Sequence, residues 1–104
     1  MTEETLHHRG TTLVRRLTLA PGEATRWHTD PFHRVSVVLT GEALTIGYRD
    51  GGTTKSIPAA AGQVDWDEPG LRVHRAVNAG QGPYEEIAVF FLSKADDVPQ
   101  PDAG

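Results

Sequence analysis

Cysteine is absent from the chain. Its absence excludes a disulfide framework, a thiolate metal site and a thiol nucleophile. Aromatic residues are sparse, with two Trp, two Tyr and three Phe. No apolar run approaches the ~20 residues that span a bilayer. The opening MTEETLHHRG lacks the apolar stretch of a signal peptide, so a cytoplasmic location is the expectation. Positive charge is also in short supply. Ten Lys and Arg against 14 Asp and Glu leave a net charge of −4, which argues against nucleic acid and anionic membranes as partners. No segment sustains a helical period. The Gly80-Gln81-Gly82 turn has no Lys and no helix after it, so it is not a phosphate loop. No Ser-His-Asp arrangement is visible.

What remains is 104 residues, enough for one domain. Eleven glycines and seven prolines favour many short elements joined by turns. Residues 1–10 are polar and read as a flexible lead. Strands are expected at residues 11–20, 25–28, 34–40, 42–48, 53–57, 63–67, 72–78 and 84–92. Turn signals separate them, among them Pro21-Gly22, Asp50-Gly51-Gly52 and Pro69-Gly70. Residues 94–104 read as a disordered tail. About eight evenly spaced strands suggest an all-β sandwich or jelly roll over residues 11–93.

One stretch concentrates the chemistry: GEATRWHTDPFHRVSVVLTG, residues 22–41. Period-2 alternation puts Arg26, His28 and Asp30 on one face, and Trp27 and Thr29 on the other. Asp30-Pro31 then turns the chain. Arg34 opens a β-branched run ending at Thr40-Gly41. Pro21-Gly22, His28, Asp30, Arg34 and Gly41 together resemble the first cupin motif, a Pro-Gly turn followed by His-x-His, Glu and then Gly. Asp30 stands where the second His is usual, and Arg34 where the Glu is usual. Residues 70–78, GLRVHRAVN, are similar to the second motif, with one additional residue between Gly70 and His74.

The resemblance covers residues 12–92 and implies a double-stranded β-helix, the cupin barrel. It implies that His28, Asp30 and His74 converge inside the barrel. Two imidazoles and a carboxylate suit a divalent transition metal (iron, manganese, nickel or zinc) and leave positions open for substrate. His33 is a possible fourth ligand, although its parity points it outward. Arg34 weighs against a metal, because its guanidinium stays charged and pairs naturally with Asp30. It is also suited to a substrate carboxylate, with Arg26 serving at the rim. Tyr48, if inward, can donate a proton, and Trp66 can line the mouth. Each residue has a plainer reading. The histidines can be structural, Asp30 can serve the turn, Asn78 can cap one, Trp27 and Trp66 can pack, and Asp65 and Asp67 can be solvated edge charges.

Alternation and resemblance disagree over residues 34–40. Alternation buries Val35, Val37 and Leu39, whereas the resemblance turns Arg34, Ser36 and Val38 into the lumen. A one-residue slip reverses every side chain, so only one can hold. We take the second. It requires Val35, Val37 and Leu39 to be covered by the N-terminal strand or by a second subunit, which makes a homodimer the expectation. The functional expectation is a small enzyme acting on a small polar or anionic organic molecule. Its chemistry would be of oxygenase, isomerase or lyase type, on a metal or on a metal-free histidine base. The alternative is a catalytically degenerate cupin that binds a small ligand without chemistry.

Overall fold

The computed structural model describes residues 1–99, and among these it contains nine strands and no helix. The strands are β1 (Thr2–Arg9), β2 (Thr12–Leu19), β3 (His28–Asp30), β4 (His33–Thr40), β5 (Ala43–Tyr48), β6 (Lys55–Pro58), β7 (Val64–Asp67), β8 (Gly70–Asn78) and β9 (Tyr84–Phe91). They form two sheets, ordered β1-β2-β9-β4-β7 and β3-β8-β5-β6, with every pairing antiparallel. The sheets face each other across a lumen. One end of it is closed by Leu19, Val38, Leu44, Ala59 and Tyr84.

Alternation along β2 and β9 builds the inner wall. Leu13, Arg15, Leu17 and Leu19 pair with Phe90, Ala88, Glu86 and Tyr84 on one face of the sheet. The turn signals hold. Gly22 and Gly51 both take positive φ, at the Pro21-Gly22 turn and the β5–β6 hairpin. Asn78 acts at a turn, as its plainer reading had it. Its amide donates to the Leu19 and Gly82 carbonyls and its oxygen accepts from Gly80 N–H, all within a fully buried side chain.

The termini depart from expectation. Residues 1–10 are not a flexible lead, because residues 2–9 form β1 against β2. An edge strand needs no apolar stripe, and its charges are compatible with solvent, so the polar sequence TEETLHHR concealed it. Glu3 of β1 meets Arg15 at 2.9 Å, with both side chains largely buried. Residues 94–99 of the expected tail carry a turn at Lys94, and the Pro99 carbonyl accepts from Arg15 Nη2 at 2.8 Å. Residues 100–104 of that tail lie outside the described residues.

The β4 register follows the resemblance. Ser36 and Val38 are buried toward the lumen, while Val35 and Val37 face outward and Leu39 is 45% exposed. β1 extends the sheet beyond β2 and does not lie over β4, so the N-terminal strand is not what covers these residues.

Gly41 sits where the chain leaves β4 beside the lumen floor. A Cβ there would lie 2.5 Å from the Ala59 carbonyl oxygen and 2.8 Å from the Tyr84 ring. Neither neighbour can yield easily, since one is backbone and the other a buried ring. Gly41→Ala is expected to cost about 1–3 kcal/mol. Urea unfolding checks this as a lower midpoint at unchanged slope.

Candidate metal and ligand site

β3 and β8 pair so that His28 lies opposite His74. Their ring centroids are 4.7 Å apart. Asp30, two residues along β3, sits under both. Its Oδ2 is 2.9 Å from His74 Nε2, and its Oδ1 is 3.5 Å from His28 Nε2. Ligand atoms of these three side chains all lie within 4.8 Å of one another. Tertiary pairing therefore brings together Asp30 and His74, which stand 44 positions apart in the sequence.

Each imidazole is held by its own strand. His28 Nδ1 lies 2.6 Å from the Arg26 carbonyl, and His74 Nδ1 lies 2.8 Å from the Arg72 carbonyl. A carbonyl only accepts, so both Nδ1 atoms carry hydrogen and donate. That leaves the two Nε2 atoms facing Asp30. A neutral imidazole would then direct a lone pair at a carboxylate oxygen 2.9 Å away. Such a contact calls for a cation, either a proton on His74 or a metal ion.

The charges agree. The Asp30 hydrogen bond raises the pKa of His74, outweighing partial burial. Burial works against the Asp30 carboxylate, but the His74 hydrogen bond and the Arg34 charge outweigh it and hold Asp30 at about 2. Arg34 projects from β4 into the same space. Its Nη1 lies 3.5 Å from Asp30 Oδ1, while Nη2 and Nε donate to Asp67 Oδ2 at 2.9 and 3.3 Å. Burial works against its charge, and the carboxylates of Asp30, Glu86 and Asp67 more than compensate.

These side chains line a cavity of about 1050 Å³, at the upper end of the range for small-molecule pockets. Tyr48 turns inward as required, with its ring 6.5 Å from that of His74 and the Arg72 guanidinium 3.7 Å above it. Arg26 reaches the mouth, and Trp27 packs under Arg75. Two expected members stay outside. His33 pairs with Glu68 at 3.2 Å and rests on Trp66, so it is not a fourth ligand. Trp66 edges the cavity, but its ring stacks on Phe91, a partner on the outer face of the sheet. The outward parity of both residues on β4 and β7 explains this.

Two participants were not placed beside Arg34 from sequence. Asp67, read there as a solvated charge, is the principal partner of Arg34, because β7 pairs with β4 and places the two opposite. Glu86 is a lumen carboxyl, 8% exposed, that accepts from the Tyr84 hydroxyl at 2.8 Å. Burial pushes its pKa up, and burial does the same to Tyr84. Its parity with Tyr84, Ala88 and Phe90 was the available signal.

Solved structures resemble this arrangement of strands. A cupin domain from Bordetella pertussis Tohama I superposes with TM-score 0.74 at 17% identity, over 88% of this chain and 93% of that one. A Klebsiella pneumoniae protein with a double-stranded β-helix domain gives 0.69 at 20% identity, over 99% and 84%. The chain has the cupin fold. An oxalate oxidase in complex with glycolate gives 0.62 at 20% identity, over 85% of this chain and 44% of that enzyme. No protein-family description matches the chain, and no curated protein does.

In protein with no metal bound, the contact between His74 and Asp30 carries a pH signature. The pKa of His74 is raised on folding, so its contribution to stability is complete below ~6.5 and is lost as pH rises through the folded value. The pKa of Asp30 is lowered, so its contribution is complete above ~4 and is lost as pH falls through about 2. The pair is therefore fully formed between about pH 4 and 6.5. Thermal unfolding should show stability declining above that window. Asp30→Asn should flatten the decline and move the His74 titration, followed by NMR, downward.

Proposed function

We propose that the chain is a small cupin enzyme. In this reading His28, Asp30 and His74 hold a divalent transition metal, and the lumen receives a small polar or anionic organic molecule. The observation that carries the reading is the gathering of the two Nε2 atoms and the Asp30 carboxylate within 4.8 Å of one another, with both Nδ1–H groups committed to backbone carbonyls. A bound dication supplies Lewis acidity at that point. Oxidation, isomerisation and lyase chemistry all suit such a centre, and an oxidase is among the similar folds.

The remaining roles belong to the chain's own side chains. Arg34 uses three of its five N–H donors on Asp67 and Asp30. Two remain for a substrate carboxylate. Asp67 offsets part of the Arg34 charge, which eases the repulsion between guanidinium and metal. Tyr48 and Arg72 border the mouth, where Tyr48 can donate a proton to a departing group.

One observation favours a second reading. The 2.9 Å contact between His74 and Asp30 is a complete ion pair whenever His74 is protonated. Without metal, His74 would act as an acid–base group oriented by Asp30. Elemental analysis of untagged protein separates the two. We expect stoichiometric iron, manganese, nickel or zinc, lost in His74→Ala while the fold persists. Protein that remains metal-free after exposure to all four would establish the second reading instead.

We further propose a cytoplasmic homodimer with no nucleic-acid or membrane partner, on the strength of the acidic charge and the outer sheet face. That face carries Val35 and Val37 beside Val64, Trp66 and Phe91, with Trp66 56% and Val64 62% exposed. A contiguous apolar patch of this kind marks an interaction surface. Light scattering after size exclusion should report a dimer, and Trp66→Glu should convert it to a monomer.

A further inference from the structure

Below the histidines, the two walls of the lumen differ in chemistry. The β5–β6–β8 wall presents Leu44, Ile46, Ile57 and Ala76. The β4–β9 wall adds polar groups to its apolar Val38, Ala88 and Phe90: Arg34, Ser36 and Glu86, with Tyr84 bonded to Glu86. Ser36 is 6% exposed, and its hydroxyl has no hydrogen-bond partner among the described residues. Glu86 uses Oε1 for Tyr84, and its other oxygen is likewise unpartnered among them. No side-chain polar atom among the described residues is both sealed from space and unbonded. The Ser36 hydroxyl and the second Glu86 oxygen therefore open onto the cavity.

Polar atoms opening onto such a cavity bond water until a ligand displaces it, and a ligand that cannot replace those bonds loses affinity. The spacing of these atoms indicates which ligand can. Arg34, Ser36 and Val38, the last paired with Glu86, step down the wall at about 7 Å intervals. A ligand satisfying all of them needs polar groups spread along a chain, with an apolar edge on the opposite side.

We propose that the lumen takes a short, polyhydroxylated carboxylic acid. Its carboxylate sits at Arg34 and the histidine end, and its hydroxyls run down the β4–β9 wall to Ser36 and Glu86. This rests on the reading of the lumen as a ligand site and deepens it by naming the class of ligand. A hydroxyl both donates and accepts, which suits an alcohol and a carboxyl side chain alike. The carbon backbone lies against Leu44, Ile46 and Ile57. A fatty acid of equal length would place methylenes on Ser36 and Glu86 and leave both desolvated, so it is rejected. An acid with carboxylates at both ends would set its second charge against Glu86.

Gluconate and hexanoate test this, since both are six-carbon acids and only one carries hydroxyls. Calorimetric titration uses the untagged full chain after chelator treatment, so the outcome is independent of metal. Gluconate should bind at least about tenfold more tightly than hexanoate. Ser36→Ala should weaken gluconate by roughly tenfold and leave hexanoate unchanged. So should the double substitution Tyr84→Phe with Glu86→Leu, which orphans no hydroxyl. Thermal melts confirm folding, and should the double variant fail to fold, Ser36→Ala still decides. Equal affinity for the two acids, no binding of either, or variants that weaken both alike would overturn the proposal. A gluconate preference in protein that never takes up metal would sustain it while removing the metal reading.

Discussion

The lumen is organised around a single carboxylate. Asp30 faces His28, His74 and Arg34 at once, so three cations or potential cations compete for two oxygens. A buried carboxylate is stable only with such partners, and every partner here is itself anchored. The histidines are held through Nδ1 by backbone carbonyls of their own strands, and Arg34 is held by Asp67. The side chains thus meet in a defined geometry without a ligand, which is what preorganisation requires. The three side chains gathered here are also the group whose ligand atoms lie close enough together to hold a metal ion.

Around that centre the two sheets divide the work. The four-stranded sheet supplies both histidines and Asp30 at the mouth, with an apolar wall beneath. The five-stranded sheet supplies Arg34, Asp67, Ser36 and Glu86 on its inner face and an apolar outer face. β4 therefore carries Val35, Val37 and Leu39 on its outer side, and Arg34 and Ser36 beside Val38 on its inner side, so it is apolar on both faces and polar where it borders the cavity. This explains why alternation alone misread the strand: hydrophobicity was assigned to the core when part of it belongs to the surface.

Much of the site was readable as local pattern. His28 and Asp30 share a face because they are two residues apart on a strand, and a turn follows because Pro31 enforces one. Arg34 was expected inward and lies there, and Tyr48, whose direction was left open, also lines the cavity. Asp67 was missed because its meaning depends on which strand lies beside β7. Glu86 was missed because the Glu85-Glu86 pair at the start of an apolar strand resembles a solvated strand end. His33 was offered as a fourth ligand although parity already pointed it away, while Trp66 edges the cavity with its ring stacked on Phe91. β1 was missed because backbone pairing at a sheet edge leaves no mark in hydrophobicity.

By itself the sequence determined the all-β class, the positions of the turns, and the period-2 faces that put His28 with Asp30 and Ser36 with Arg34. These follow from short-range sterics and alternation, which act over a few residues. Only the tertiary structure decided that His74 stands opposite His28, that Asp67 holds Arg34, and that Glu86 opens into the same cavity. Those relations depend on strand order and cross-strand register, which many residues settle together through burial and hydrogen-bond pairing across the closed sheets.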